Sequence, residues 1–211
     1  MTKLLTAVAL LSFGTAYAQS GKTDKPAAAP SGAAATPSGA SAAAEPMMPP
    51  KPGPETEALK PFAHNIVSTG TVMAGAMGNN PEMATKGKAT CHWAVGNLWV
   101  MCDIEEVTGT GKTAFKWMGH WMFGYDVMAK GYRGVMLDNM GMMAPMKGTL
   151  DGSKLTWESM NEMKGGPPGM PTKMRFAMDA TDAKNIKFTE DGWVGGKWVT
   201  RGTGVHKVVG K

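Results

Sequence analysis

From Asn65 onward the chain alternates apolar and polar residues in short runs, each broken by Gly, Asn or Asp after about ten positions. A period of two is the signature of strands rather than helices. It predicts strands over 66–73, 86–95, 98–107, 113–125, 132–140, 146–150, 154–163, 173–180, 185–189 and 197–207. No crossover-helix pattern lies between them, so the expected fold class is all-β, an antiparallel meander. Ten strands are too many for a flat two-sided sheet of this size, and closure into a barrel removes the exposed edges. Helical signal is confined to one place. Glu55 and Glu57 come early, Leu59, Phe62 and Ala63 cluster at helical spacing, and Pro61 limits the helix to one or two turns.

The segment 86–107 has the best-determined register. With its turn centred on Gly96-Asn97, Val95 faces Leu98, Trp93 faces Val100 and Cys91 faces Cys102. All six share an apolar face, whereas His92, Ala94, Trp99, Met101 and Asp103 take the other. A slip of one residue would mix the two sets. The only two cysteines thus fall opposite each other, and paired strands bring Cα atoms within disulfide range. A Cys91–Cys102 disulfide is expected, with a structural role. Ten residues between the cysteines are unlike the CxxC spacing of redox catalysts.

A second pair of strands, 113–125 with 132–140, places Phe115, Trp117, Gly119, Trp121, Phe123 and Tyr125 on one face. If Tyr125 faces Tyr132, then Trp121 faces Met136, Gly119 faces Asp138 and Trp117 faces Met140. The opposite face sets Met118, His120 and Met122 against Asn139, Leu137 and Val135. Apolar residues on both faces do not suit a sheet with one wet side. The tryptophan row is therefore assigned to the barrel interior.

Ahead of these strands the texture is different. Lys3, the apolar run Leu4–Leu11 and Ala16-Tyr17-Ala18 read as a signal peptide over 1–18, which makes this an exported protein, periplasmic or secreted. Residues 19–54 hold 10 Ala and 8 Pro in 36 positions, with almost nothing large enough to bury. Such a segment reads as a disordered linker with a reach of about 35 Å. The rest, 55–211, is long enough for one barrel domain with a real core. The whole chain has 211 residues and a formal charge of +5. That balance is too mild and mixed for a dedicated nucleic-acid binder. No later stretch is apolar for long enough to span a membrane.

Several turn signatures occur in a fixed order: Pro52-Gly53-Pro54-Glu55, Gly87-Lys88-Ala89-Thr90-Cys91, Gly124-Tyr125-Asp126, Lys130-Gly131-Tyr132, Leu137-Asp138-Asn139-Met140-Gly141 and Gly148–Thr156. In this order the chain resembles an uncharacterised bacterial family, domain of unknown function 1579, over about 52–207. The resemblance implies a calycin or lipocalin-like barrel and brings no catalytic residues. Barrels of that kind often carry a Gly-x-Trp early in the first strand. Here His64–Thr71 has no tryptophan.

A barrel of this size is either filled by side chains or holds one small ligand. The expected function is non-catalytic binding of a small apolar ligand in the interior. The candidate lining is Trp93, Val95, Val100, Trp117, Trp121, Tyr132, Met136, Asp138, Met140, Trp157, Phe176 and Met178, with Asp138 or Arg175 orienting a polar end. No cofactor is expected. An alternative is copper binding. Of the 20 methionines, 17 lie in 55–211; Met118, His120 and Met122 share a strand face, and Met140, Met142 and Met143 crowd one turn. Thioethers with imidazole suit Cu(I). A third reading is an interaction module with a filled core, in which the Met118–Met122 row docks another chain, for instance in a homodimer. No nucleophile elbow or HExxH motif occurs, and Gly109–Thr113 lacks the first glycine of a phosphate loop. Glu158, Glu162 and Asp138 are the carboxylates considered for catalysis and read as solvated strand residues.

Overall fold

The protein is described here by a computed structural model, which covers residues 50–164 and 170–210. The signal-peptide reading and the linker as far as residue 49 lie outside the described residues. A short helix α1 (Pro54–Glu57) and a 3-10 turn (Lys60–Phe62) precede ten strands. These are β1 (Ile66–Val72), β2 (Met83–Ala94), β3 (Trp99–Thr108), β4 (Phe115–Asp126), β5 (Gly131–Asp138), β6 (Met143–Asp151), β7 (Lys154–Ser159), β8 (Met174–Asp179), β9 (Asn185–Val194) and β10 (Lys197–Val208). Each strand pairs antiparallel with the next, and β1 pairs with β10, so the sheet closes into a barrel. No helix among the described residues is long and apolar enough to cross a membrane.

The β2–β3 hairpin has the register that alternation dictates: Ala94 faces Trp99, Trp93 faces Val100 and Cys91 faces Cys102. The two cysteines form a disulfide, with Cα atoms 4.1 Å apart. Gly96 and Asn97 both take positive φ, which a two-residue hairpin turn requires. Val95 departs from expectation. It is 66% exposed with φ +48°, because the turn twists it off the apolar face. β9 is longer than its apolar pattern suggests. Glu190-Asp191-Gly192 resembles a turn in sequence but continues the ladder with β8 and β10.

The core occupies one end of the barrel. Val100, Phe123, Leu155 and Trp157 are almost fully buried there, with Cys102, Trp121, Met146, Met178 and Phe188 around them. Burying side chains of this size contributes about 1.5–3 kcal/mol each. Trp121 contacts Phe123, Trp157 and Phe176 at ring-centroid distances of 5.4, 5.6 and 5.5 Å. Leu59 and Phe62, from the segment that follows α1, belong to this same core. The Tyr132 hydroxyl donates to the Glu55 carbonyl oxygen at 3.1 Å. The N-terminal segment thus plugs the end where the hairpin turns 95–98 and 127–130 lie. Glycines make room for the large rings. A Cβ on Gly204 would stand 2.5 Å from the Phe188 ring, and one on Gly148 would stand 2.7 Å from Trp157.

Replacing both Cys91 and Cys102 by Ser removes a short covalent loop and should cost about 2–3 kcal/mol on the chain-entropy model. Urea unfolding of the oxidised protein beside the double variant measures this. The reduced wild type should fall with the variant.

Candidate functional site

The two ends of the lumen differ in chemistry. At the plugged end the inward-facing side chains are apolar. At the other end the inward rows of β2, β3, β9 and β10 bring in Thr85, Glu106, Thr108, Glu190 and Arg201. The Thr108 hydroxyl lies 3.3 Å from that of Thr85 and 3.4 Å from Glu106 Oε1, and the Thr85 hydroxyl donates to the Val107 carbonyl. Arg201 sits in a β-bulge between Thr200 and Gly202, which breaks the alternation of β10. Only 8% of Arg201 is exposed.

The ionisable groups in this end are perturbed by burial. Burial raises the pKa of Glu190, the facing Glu106 carboxylate adds to the rise, and Arg201 partly opposes it. Glu190 is only half-buried as a residue, yet the chain crowds its carboxyl enough to make burial the leading cause. Burial also lowers Arg201, with Glu190 opposing. Deeper in the lumen, His206 stacks on Phe188 at 4.4 Å, and burial lowers its pKa to about 4. Among the described residues, three buried ring nitrogens have no hydrogen-bond partner: Trp121 Nε1, Trp157 Nε1 and His206 Nδ1.

Of the lining residues expected from sequence, Val100, Trp121 and Trp157 are core, and Trp93, Tyr132, Met136 and Phe176 pack against it. Met178 is buried with them. Others lie elsewhere. Met140 is 68% exposed in the turn after β5, beyond the end of the barrel wall. Asp138 is already engaged, accepting from Trp117 Nε1 at 3.1 Å and from the amides of Met140 and Met142. Arg175 lies on the outer wall, donating to Asp191 at 2.6 and 3.0 Å beneath Trp198. Glu158 and Glu162 pair with Lys147 and Lys173.

Sequence reasoning missed Glu106, Glu190, Arg201 and His206. Glu106 and His206 carried a usable signal, since Glu106 shares the parity of Val100 and Cys102 on β3 and His206 that of Val208 on β10.

Two concavities among the described residues lie on the outer wall. One, of about 540 Å³, is lined by Thr90, Asp103, Met118, His120, Leu137 and Asn139, among others. Here Asp103 Oδ1 lies 2.6 Å from His120 Nδ1. Met118 and Met122 flank His120 on the same face of β4, Met101 stands opposite Met122, and Met143 projects outward from β6. The second, of about 440 Å³, is lined by Lys154, Thr156, Arg175, Lys187 and Asp191, with three further residues of β7–β9. No group of three or more His, Cys, Asp or Glu among the described residues is placed to hold a metal.

Residues 68–207 match the family described as protein of unknown function (DUF1579). This stretch runs from the third residue of β1 to the last residue but one of β10. The chain belongs to this family. The match therefore spans the strand circuit of this chain and leaves the plugging segment outside it. No curated protein matches the chain.

His206 gives the lumen a measurable pH dependence. Its unfolded form takes up a proton below about pH 6.5, while the folded form resists until about pH 4. The unfolded state therefore binds more protons in that window, and stability falls as the pH falls. The expected loss between pH 7 and pH 4 is about 3 kcal/mol. Glu190 has the opposite sign, since a raised folded pKa makes stability fall as the pH rises above about 4.5. A His206→Phe variant, which keeps a ring against Phe188, isolates the histidine. Its urea midpoint should change less than that of the wild type between pH 7 and pH 4.

Proposed function

We propose that this is an exported, non-catalytic barrel that takes a small, mainly apolar ligand in its lumen, entering from the end opposite the N-terminal segment. The observation that carries this reading is the set of three unpartnered ring nitrogens on one aromatic cluster. A buried donor without a partner costs about 1–3 kcal/mol. A core selected for stability alone would exchange such rings for phenylalanine. A ligand carrying an acceptor offsets that cost where the chain does not. The contrast between the two ends supports the same reading, with a packed apolar floor at one end and the charged side chains of Glu106, Glu190 and Arg201 at the other. Trp121 and Phe176 are the aromatic surface, and Ile104, Met136 and Trp117 are apolar groups further along the inward rows. The disulfide and the N-terminal sequence pattern support export.

The test is native mass spectrometry of protein purified without denaturation from the organism that makes it. A copurifying small molecule is expected. Removing it by unfolding and refolding should lower the melting temperature, because a ligand at 100 times its Kd adds about 2.7 kcal/mol. A bare mass, with a melting temperature unmoved by refolding, overturns the reading.

A second reading, copper binding at the outer wall, has one specific observation in its favour. A carboxylate oxygen accepts, so Asp103 fixes the proton of the neutral His120 ring on Nδ1 and leaves the Nε2 lone pair free. This is the outer support that metal-binding imidazoles use. Met118 and Met122 supply thioethers on either side, soft ligands that suit a monovalent copper ion. Cu(I) titrated against a competing chelator should bind tighter than micromolar. Asp103→Asn should weaken it at least 10-fold and His120→Gln should abolish it. Uptake no tighter than micromolar in the wild type removes this reading.

A further inference from the structure

Resting on the reading of the lumen as a ligand site, we propose that its end opposite the N-terminal segment recognises a carboxamide. Such a head group accepts from Arg201 and donates to Glu190, in preference to a free acid or a free amine.

Two missing side chains shape the site. Arg201 is turned inward by the β10 bulge, and its stem crosses Gly192 beside Pro171; a Cβ there would come within 2.5 Å of Arg201 Cδ and 2.7 Å of Pro171 Cβ. Glu190 stands two residues before Gly192 on β9 and leans over Gly202, its Oε2 3.7 Å from where a Cβ would be. The two charged side chains therefore lie over neighbouring steps of one ladder. Each acts on the other electrostatically. Among the described residues, neither side chain makes a hydrogen bond or an ion pair. Arg201 is only 8% exposed as a residue, and burial is the main influence on its guanidinium, a charge that favours a partner once it is drawn out of water. Bulges that redirect a side chain are found beside functional sites.

Charge decides which head group fits. A carboxylate would satisfy Arg201 but would face Glu190 and Glu106, which already oppose each other across the lumen. An ammonium would satisfy the carboxylates but would face Arg201. A carboxamide offers a carbonyl to the guanidinium and an N–H to the carboxylate and adds no net charge. The Thr85 and Thr108 hydroxyls are already bonded to one another and to β3, which leaves Arg201 and Glu190 as the reading pair.

Four probes with matched ten-carbon acyl or alkyl chains test this on the intact, oxidised protein: decanamide, decanoate, decylamine and methyl decanoate. Tryptophan fluorescence follows binding, and circular dichroism checks the fold of each variant. Decanamide should bind at least 10-fold tighter than the other three. Arg201→Met and Glu190→Met should each bring decanamide down to the level of methyl decanoate. If either variant fails to fold, the wild-type ranking alone decides. Binding in which decanoate or decylamine equals or exceeds decanamide overturns the head-group assignment and leaves the lumen reading standing. If none of the four binds, the lumen reading falls and the head-group assignment falls with it.

Discussion

Backbone pairing between the first strand and the last is the constraint on which the rest of this protein depends. Seven residue pairs join β1 to β10, from Ile66 with Val208 to Val72 with Gly202. With that seam made, no strand has a free edge, and every residue is committed to the inner or the outer surface. The apolar floor, the charged mouth and the methionine-rich outer wall are consequences of one parity carried round a closed circuit. The family match follows the same boundary, since it starts in β1 and stops in β10.

Much of this was legible in the residues. Alternation located all ten strands, and the arithmetic of one turn placed Cys91 opposite Cys102. The β4–β5 register, with Trp121 opposite Met136 and Gly119 opposite Asp138, followed in the same way. Local patterns sufficed because antiparallel neighbours are also neighbours in sequence. Parity places Glu106 at the charged end, but Arg201 and Glu190 were not legible, for two physical reasons. Arg201 reaches the lumen through an extra residue in β10, and parity counting cannot see a bulge. Glu190-Asp191-Gly192 has the composition of a turn but lies within a strand, held by the Arg175 and Thr200 contacts to Asp191. Asp138 misled for a related reason. Its partners, Trp117 and the amides of its own turn, become visible only once the sheet is built.

The two surfaces handle polar groups differently. On the outer wall several carboxylates have partners, as in the Lys88–Glu105–Lys116 cluster, where the two lysines hold Glu105 below the usual carboxylate range. Inside, among the described residues, Glu190 and Arg201 act on each other without a hydrogen bond or a close ion pair, and three aromatic ring nitrogens are unbonded. Exposed ion pairs contribute little to stability, whereas unmatched groups in an enclosed space cost far more. The molecule therefore carries its unfavourable electrostatics inside the barrel.

The seam between β1 and β10 also sets an order of events during synthesis. The strand that must lie against β1 is the last one made, so a nascent chain can zip hairpin by hairpin but cannot close. Until residues 197–208 leave the ribosome, both flanks of the growing sheet stay open to foreign strands. Truncation near the C-terminus would therefore do more than shorten the protein. It would leave a permanently unzipped ribbon, a substrate for chaperones and proteases.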